Sequence, residues 1–221
     1  MKMKQKLIAG AIALSAMAGF AVPAAHAEVA ATVGIANMYY WRGYDLGGGA
    51  ALTGDINYSS NGFFVGAWTS SGDEALGTEY DLYAGYAGSV GDFTYGLSVV
   101  SYNYPSLGGT EKIAPGDYVE VIPTIGYGPV TLTYYDAVAA EVAPLDNKDY
   151  SYATLAVEFD KLTIKYGQHM DDGSTTSSHL DITYAYNDNL SFTIGSLIDD
   201  GDDPEADDVT FVVGLTLPLG K

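Results

Sequence analysis

The feature that most constrains the fold of this chain is a repeated alternation of apolar and polar side chains across residues 28 to 221. The clearest example runs from 180 to 186 and from 190 to 196, on either side of Asn187-Asp188-Asn189. A period of two gives each strand one apolar and one polar face, and a hairpin keeps the two faces in register. The pattern predicts an all-β protein, an antiparallel up-and-down β-barrel of about 12 strands.

The connections between the predicted strands alternate between short and long. We expect strands at 30 to 41, 50 to 59, 62 to 71, 78 to 87, 93 to 104, 117 to 127, 129 to 136, 150 to 159, 161 to 169, 179 to 187, 189 to 198 and 209 to 217. We expect long connections at 42 to 49, 71 to 77, 105 to 116, 137 to 149, 170 to 178 and 199 to 208. The five shorter connections are rich in turn-forming residues. This arrangement suits twelve strands with both termini on one side of a membrane and the long loops on the other.

The two faces of the strands differ in charge. Charged residues within the central part of a strand fall on the polar face, whereas residues such as Leu155 fall on the opposite, apolar face from Thr154. A bilayer tolerates only helices and closed sheets, so an apolar outer wall predicts a transmembrane barrel. A soluble barrel of the lipocalin type would have the reverse arrangement, with apolar side chains inside. The strand number, the strand length and the 19 tyrosines favour the membrane barrel, with aromatic girdles at the two interfaces.

The first residues have the parts of a secretory signal peptide. Lys2, Lys4 and Lys6 precede an apolar stretch, and Ala25-His26-Ala27 is a typical cleavage site. An uncleaved anchor helix is the less favoured alternative because the apolar core is short. We therefore divide the chain into a signal peptide, 1–27, and an outer-membrane β-barrel, 28–221. Cleavage would leave six basic and 28 acidic residues, a net charge of −22.

Composition excludes several classes of function. The chain has no cysteine, which removes disulfides, thiol chemistry and cysteine-based metal sites. Its negative charge argues against binding nucleic acid, because phosphate contacts need a basic surface. We predict no cofactor and no resident metal.

Several stretches resemble the TorF-type porins, a family of outer-membrane β-barrels of largely unassigned substrate. The resemblance begins at Tyr39-Tyr40-Trp41-Arg42-Gly43, continues through 61 to 68 and is strongest at 79 to 86. Weaker similarities extend it over nearly the whole of 28–221. The resemblance implies a passive channel in the outer membrane rather than an enzyme. It also implies contact with outer-membrane lipid and with the outer-membrane assembly machinery, and we expect a monomer.

The charged residues of the polar face are the candidate functional surface. The predicted pore-lining residues are Arg42, Glu79, Asp81, Glu120, Glu158, Lys165 and Asp181. Charged rings inside a narrow pore select the sign of the permeating ion, and five acids against two bases favour cations. We therefore predict passive diffusion of small cationic or neutral solutes. The alternative is that these charges pair and plug the lumen, which would give a non-conducting structural or surface-interaction barrel.

Two further clusters contain residue types that could support catalysis or metal binding. His169 and His179 flank the predicted loop 170 to 178, where a rim hydrolase or metal site is conceivable, although ordinary polar rim residues are favoured. The predicted loop 199 to 208 holds seven carboxylates, which could bind calcium. Its spacing lacks the terminal bidentate glutamate of a twelve-residue calcium loop, so a solvated acidic loop is favoured. We predict no catalytic residue and no enzymatic activity.

Overall fold

The alternating segments form strands of one closed sheet in a computed structural model, which describes residues 27–47, 49–105, 112–199 and 209–220. The predicted signal peptide lies almost wholly outside these residues, and so does the acidic loop beyond Asp199. The strands are β1 (Glu28–Ala36), β2 (Tyr40–Trp41), β3 (Tyr44–Asp45), β4 (Ala51–Ser60), β5 (Phe63–Asp73), β6 (Gly77–Val90), β7 (Phe93–Tyr104), β8 (Ile113–Tyr127), β9 (Val130–Ala140), β10 (Tyr150–Phe159), β11 (Leu162–Asp171), β12 (Ser174–Ala185), β13 (Leu190–Asp199) and β14 (Thr210–Pro218). Within the described residues, no helix is long and apolar enough to cross a membrane.

Twelve of these strands close into a barrel in which each strand pairs antiparallel with its neighbours. Strands β4 to β14 follow in chain order, and β1 closes the sheet by pairing with both β4 and β14. At the closure, Ile35 lies opposite Leu52 on one side and Leu215 on the other. The predicted all-β, up-and-down barrel of about 12 strands is confirmed.

The faces of the wall agree with the alternation in the sequence. Leu155 is 44% exposed, whereas its neighbour Thr154 is 4% exposed and faces the interior. The same exposed apolar surface recurs around the barrel at Val33, Leu97, Leu132, Ile182 and Ile194. Apolar side chains outside and polar side chains inside are the arrangement of a transmembrane barrel, and the lipocalin alternative is excluded.

Two of the predicted long loops are tight turns instead. Strand β5 continues to Asp73 and β6 starts at Gly77, so the predicted loop 71 to 77 shrinks to three residues. At the predicted loop 170 to 178, Asp171 pairs with Ser174 around Asp172 and Gly173, which both have positive φ (46° and 74°). Two consecutive residues of positive φ give a hairpin turn whose twist matches that of the strands. The polar residues after Gly173 extend the sheet rather than forming a loop.

The start of the barrel also differs from the sequence prediction. The first strand ends at Ala36 instead of continuing to residue 41, and β2 pairs with β3 to form a separate two-stranded ribbon. Arg42 and Gly43 form its turn, with φ values of 48° and 96°. The backbone N–H of Leu46 donates to the carbonyl of Tyr39 at 2.8 Å and completes this element. We call residues 39–46 the inner hairpin, because its side chains enter the barrel lumen.

Candidate functional site: the occupied lumen

The structure places six of the seven predicted pore-lining residues inside the barrel. Glu79, Asp81, Glu120 and Asp181 are buried on the inner face of the wall, and Lys165 is largely buried beside Asp181. Arg42 is also buried, but it reaches the lumen from the inner hairpin rather than from a barrel strand.

Glu158 is the exception among the seven. It shares the inner face by alternation with Thr154 and Ala156, but it lies next to the turn at 160–161 and is exposed. The structure brings it into no ion pair among the described residues.

Arg42 and Glu120 form the centre of the lumen. The guanidinium donates to both carboxylate oxygens, at 2.9 Å from Nη1 and 2.6 Å from Nη2. The hydroxyl groups of Tyr102 and Tyr118 donate to the same carboxylate at 2.8 Å and 3.2 Å. A buried ion pair is favourable only when its remaining hydrogen-bonding groups also have partners. Here the two tyrosine hydroxyls are the further partners of the Glu120 carboxylate.

Aromatic rings surround the guanidinium of Arg42. Its central carbon lies 4.4 Å from the ring centroids of Trp41 and Tyr135 and 4.7 Å from that of Tyr152. The ring of Tyr150 is more distant, at 5.8 Å, and its hydroxyl oxygen accepts a hydrogen bond from Nη1 at 3.0 Å. Cation–π contacts of this kind are strongest when the cation is removed from water, as it is here.

The other residues of the inner hairpin also bind the wall through side chains. The Tyr39 hydroxyl donates to Glu79 at 2.5 Å, and the Tyr40 hydroxyl donates to Asp181 at 2.6 Å. The Tyr44 hydroxyl donates to Ser177 Oγ at 2.6 Å. These contacts connect the hairpin to strands β6 and β12, so they fix it from two sides of the barrel.

Asp181 is the acceptor for three side-chain donors. Besides Tyr40, it accepts from Lys165 Nζ at 2.9 Å and from His179 Nδ1 at 3.0 Å. The other ring nitrogen of His179, Nε2, lies 2.7 Å from the Tyr152 hydroxyl. With Nδ1 donating to the carboxylate, His179 Nε2 accepts a hydrogen bond from the Tyr152 hydroxyl, a tautomer assigned from this network.

The two histidines are therefore lumenal residues and not rim residues. His169 and His179 are buried, with ring centroids 6.2 Å apart, and no loop separates them because β11 and β12 continue past both. The prediction that these two histidines are ordinary polar residues of the rim was wrong. The polar sequence of 170 to 178 was mistaken for a loop, whereas it forms the ends of two paired strands.

Two glycines make room for this packing. A Cβ atom at Gly167 would overlap His179 Nε2 and the Tyr152 hydroxyl, and a Cβ at Gly195 would overlap the Tyr40 hydroxyl. Glycine in a strand often marks such a close approach. The lumen is thus filled by interlocking side chains at this level.

Sequence reasoning missed most of the lumenal aromatic residues. It assigned the tyrosines to interfacial girdles, yet Tyr102, Tyr118, Tyr135 and Tyr152 are buried inside the barrel. The alternation contained the signal, because Tyr152 shares a strand face with Thr154, and Tyr118 shares one with Glu120. Other tyrosines, including Tyr86, Tyr95 and Tyr127, are exposed on the outer wall.

A cavity of about 540 Å³ lies beside the inner hairpin, at the end of the barrel that carries the longer connections. We call this cavity the vestibule. Its lining includes Trp41 and Leu46 of the hairpin, Tyr104 and Tyr118 of the wall, and the turn between β5 and β6. Its acidic lining residues are Asp45, Asp73 and Glu74, and no basic residue lines it among the described residues.

Fold and site define a transmembrane β-barrel whose lumen holds a folded-in hairpin. The sequence profile of a bacterial family, described as "Bacterial protein of unknown function (Gcw_chp)", matches residues 20–200, and the chain belongs to this family. No curated protein sequence matches the chain.

Three solved structures with a similar fold are distant from this chain in sequence. The KdgM porin is 9% identical, with 87% of this chain and 100% of that chain covered and a TM-score of 0.47. The COG4313 outer membrane channel from Pseudomonas putida F1 is 13% identical, with 90% and 98% covered and a TM-score of 0.36. The Salmonella typhi outer membrane phospholipase is 9% identical, with 86% and 90% covered and a TM-score of 0.43. At such identities the likeness concerns the barrel fold alone.

The phospholipase corrects one sequence prediction. We expected no enzymatic activity because the fold and the resemblance indicated a channel, but the barrels that match this chain include an enzyme as well as channels. Excluding enzymes was therefore wrong, since the same closed sheet supports both classes and function depends on the residues of the site.

Proposed function

We propose that this protein is an outer-membrane channel of the TorF porin type, which admits small cationic or neutral solutes and is closed at rest by the inner hairpin. The observation that carries the proposal is that β2 and β3 pair with each other and with no barrel strand. The hairpin can therefore move without breaking the strand pairing of the wall, although it would lose the backbone hydrogen bond from the Glu74 N–H to the Leu46 carbonyl at 3.0 Å. A permanent plug would need no such independence.

The charge of the lumen supports cations as the favoured solutes. Glu79 and Asp81 lie two residues apart on the inner face of β6, and both side chains are buried. Asp81 Oδ1 is buried without a hydrogen-bond partner in the described part of the chain. Once the hairpin moves, carboxylates outnumber basic side chains on the lumenal wall, and such a surface attracts cations.

The proposal also covers the location of the protein and its partners. The apolar outer wall extends around the barrel, from Val33 on β1 to Ile194 on β13, which supports a monomer in contact with lipid on all sides. The predicted signal peptide and the barrel class support export to the outer membrane and insertion by the outer-membrane assembly machinery.

A non-conducting structural barrel is the second candidate. The observation that favours it is the doubly hydrogen-bonded Arg42–Glu120 pair, which is buried and surrounded by tyrosines. Breaking a buried pair by removing one partner costs about 3–5 kcal/mol, so this contact alone is a substantial barrier to opening.

Ion selectivity in planar bilayers tests the channel proposal. We expect infrequent discrete current steps from a barrel that is mostly closed, with a reversal potential that shows preference for cations, and Glu79→Gln with Asp81→Asn should reduce that preference. The matched control is Glu158→Gln with Asp160→Asn, which removes two exposed carboxylates near the short-turn end and should change it less. Steps without cation preference would contradict the proposed solute class, and inserted barrels without steps would favour the structural candidate.

A further inference from the structure

The pocket that holds the Arg42 guanidinium is built mainly from the barrel wall. Its side chains are Tyr102 of β7, Glu120 of β8, Tyr135 of β9, and Tyr150 and Tyr152 of β10. We call these five residues the wall cage. Because four neighbouring strands of the closed sheet hold it, the wall cage does not depend on the hairpin for its shape.

The composition of the wall cage is that of a receptor for a planar cation. Tyrosine faces attract cations, and a carboxylate that accepts two parallel N–H bonds matches the fork of a guanidinium. An ammonium group has no such fork and is more strongly hydrated, so it would use the cage less well. Arg42 therefore occupies the cage as a tethered ligand.

The backbone at Arg42 indicates that its side chain determines the choice of residue there. Arg42 has a φ of 48° and Gly43 a φ of 96°, so both turn positions are left-handed. Such turns favour asparagine, aspartate or glycine, because other residues are strained at positive φ. An arginine at the first position does not stabilise the turn. Its contacts with Glu120 and the tyrosines therefore explain why arginine occurs there.

The vestibule borders the wall cage. Trp41 lines the vestibule and lies 4.4 Å from the guanidinium, and Tyr118 lines it while donating to Glu120. The acidic lining of the vestibule would raise the local concentration of cations beside the cage. This feature is independent of the cage and indicates the same sign of ligand.

We propose that the wall cage is a binding site for small molecules that carry a guanidinium group, and that Arg42 competes with them for it. Such a ligand would take the place of the Arg42 side chain against Glu120 and the tyrosines, and the inner hairpin would lose its strongest contact with the wall. The inference rests on the proposed function in one respect only, which is that the exchange of Arg42 for the ligand is a step in channel opening.

Thermal unfolding of the full chain in detergent micelles tests binding without requiring conduction. Arg42→Asn empties the cage and retains a residue that tolerates the left-handed turn. We expect millimolar methylguanidinium to raise the melting temperature of Arg42→Asn by several degrees and to leave wild type unchanged, because a ligand that binds only the folded state stabilises it. Methylurea has nearly the same shape without the charge and should have no effect, and methylammonium should have a smaller one.

The double variant Arg42→Asn with Glu120→Gln is the matched control. It retains the aromatic part of the cage without the carboxylate, and methylguanidinium should bind it at least about tenfold more weakly. If Arg42→Asn does not fold alone, the refolding yield with each compound replaces the melting temperature, and methylguanidinium alone should restore it.

Equal responses of wild type, Arg42→Asn and the double variant would overturn the proposal, and so would equal responses to methylguanidinium and methylurea. Binding by a barrel that never conducts would instead contradict the channel function and retain the site.

Discussion

His169 on the barrel wall donates a hydrogen bond from Nε2 to the backbone carbonyl of Arg42, at 2.8 Å across 127 residues of sequence. Its Nδ1 accepts from the Tyr150 hydroxyl at 3.0 Å, and the Tyr150 oxygen accepts from Arg42 Nη1 at 3.0 Å. The three residues thus form a closed ring of hydrogen bonds that begins and ends at Arg42. This ring fixes the turn of the inner hairpin by both its side chain and its backbone.

Replacing His169 by phenylalanine should loosen the hairpin while retaining the aromatic packing against Tyr152, whose ring centroid lies 4.8 Å away. The change leaves a buried carbonyl without its donor, which costs about 1–3 kcal/mol. We expect a lower melting temperature in detergent micelles. Asp171→Asn, at the exposed end of the same strand, should stay within about 0.5 kcal/mol of wild type. An unchanged melting temperature of His169→Phe would show that the ring of hydrogen bonds does not hold the turn.

Gly167 should not tolerate a side chain, because an added Cβ would meet His179 and Tyr152. Overpacking of this kind typically costs about 1–3 kcal/mol, and we expect Gly167→Ala to lower the stability of the folded barrel accordingly. Gly96→Ala is the matched control on β7, where the nearest atom would lie 3.5 Å from the added Cβ. Similar unfolding curves for the two variants would contradict the packing described for the lumen.

Leu155 should be sensitive to charge because it lies at the middle of β10 on the exposed wall. Leu155→Arg is expected to cost about 2–4 kcal/mol in a bilayer, and Phe159→Arg, at the end of the same strand, only about 0–1 kcal/mol. Folding into lipid vesicles, followed by denaturant titration, measures both. Equal costs at the two positions would mean that depth in hydrocarbon does not determine the outcome. Thr154→Arg should also destabilise the barrel, since Thr154 is buried in a filled lumen.

The barrel could be predicted because its signal is local. Alternation along each strand locates the residue faces, and Leu155 and Thr154 take the predicted sides without any knowledge of their neighbours. The turn residues Asn61 and Gly62, with φ values of 50° and 89°, likewise act within the hairpin that contains them. Such features need only a few consecutive residues.

The inner hairpin could not be predicted in the same way. Residues 37 to 41 continue the spacing of the first strand closely enough to suggest one strand from 30 to 41, although Arg42-Gly43 between Trp41 and Tyr44 was an available turn signal. The partner of Arg42 is Glu120, 78 residues away, and that contact depends on how the whole sheet closes. Alternation identifies which residues face inward but not which segment turns into the lumen to meet them.

Single-channel conductance of a hairpin-replaced protein tests most directly whether the inner hairpin closes an otherwise open pore. Residues 39–46 would be replaced by a glycine-serine linker of equal length, and a linker replacing the exposed residues 146–148 would serve as the control. We expect wild type and the control to remain mostly closed in planar bilayers and the hairpin-replaced protein to stay open with cation-selective steps. A hairpin-replaced barrel that inserts and remains as closed as wild type would contradict this account.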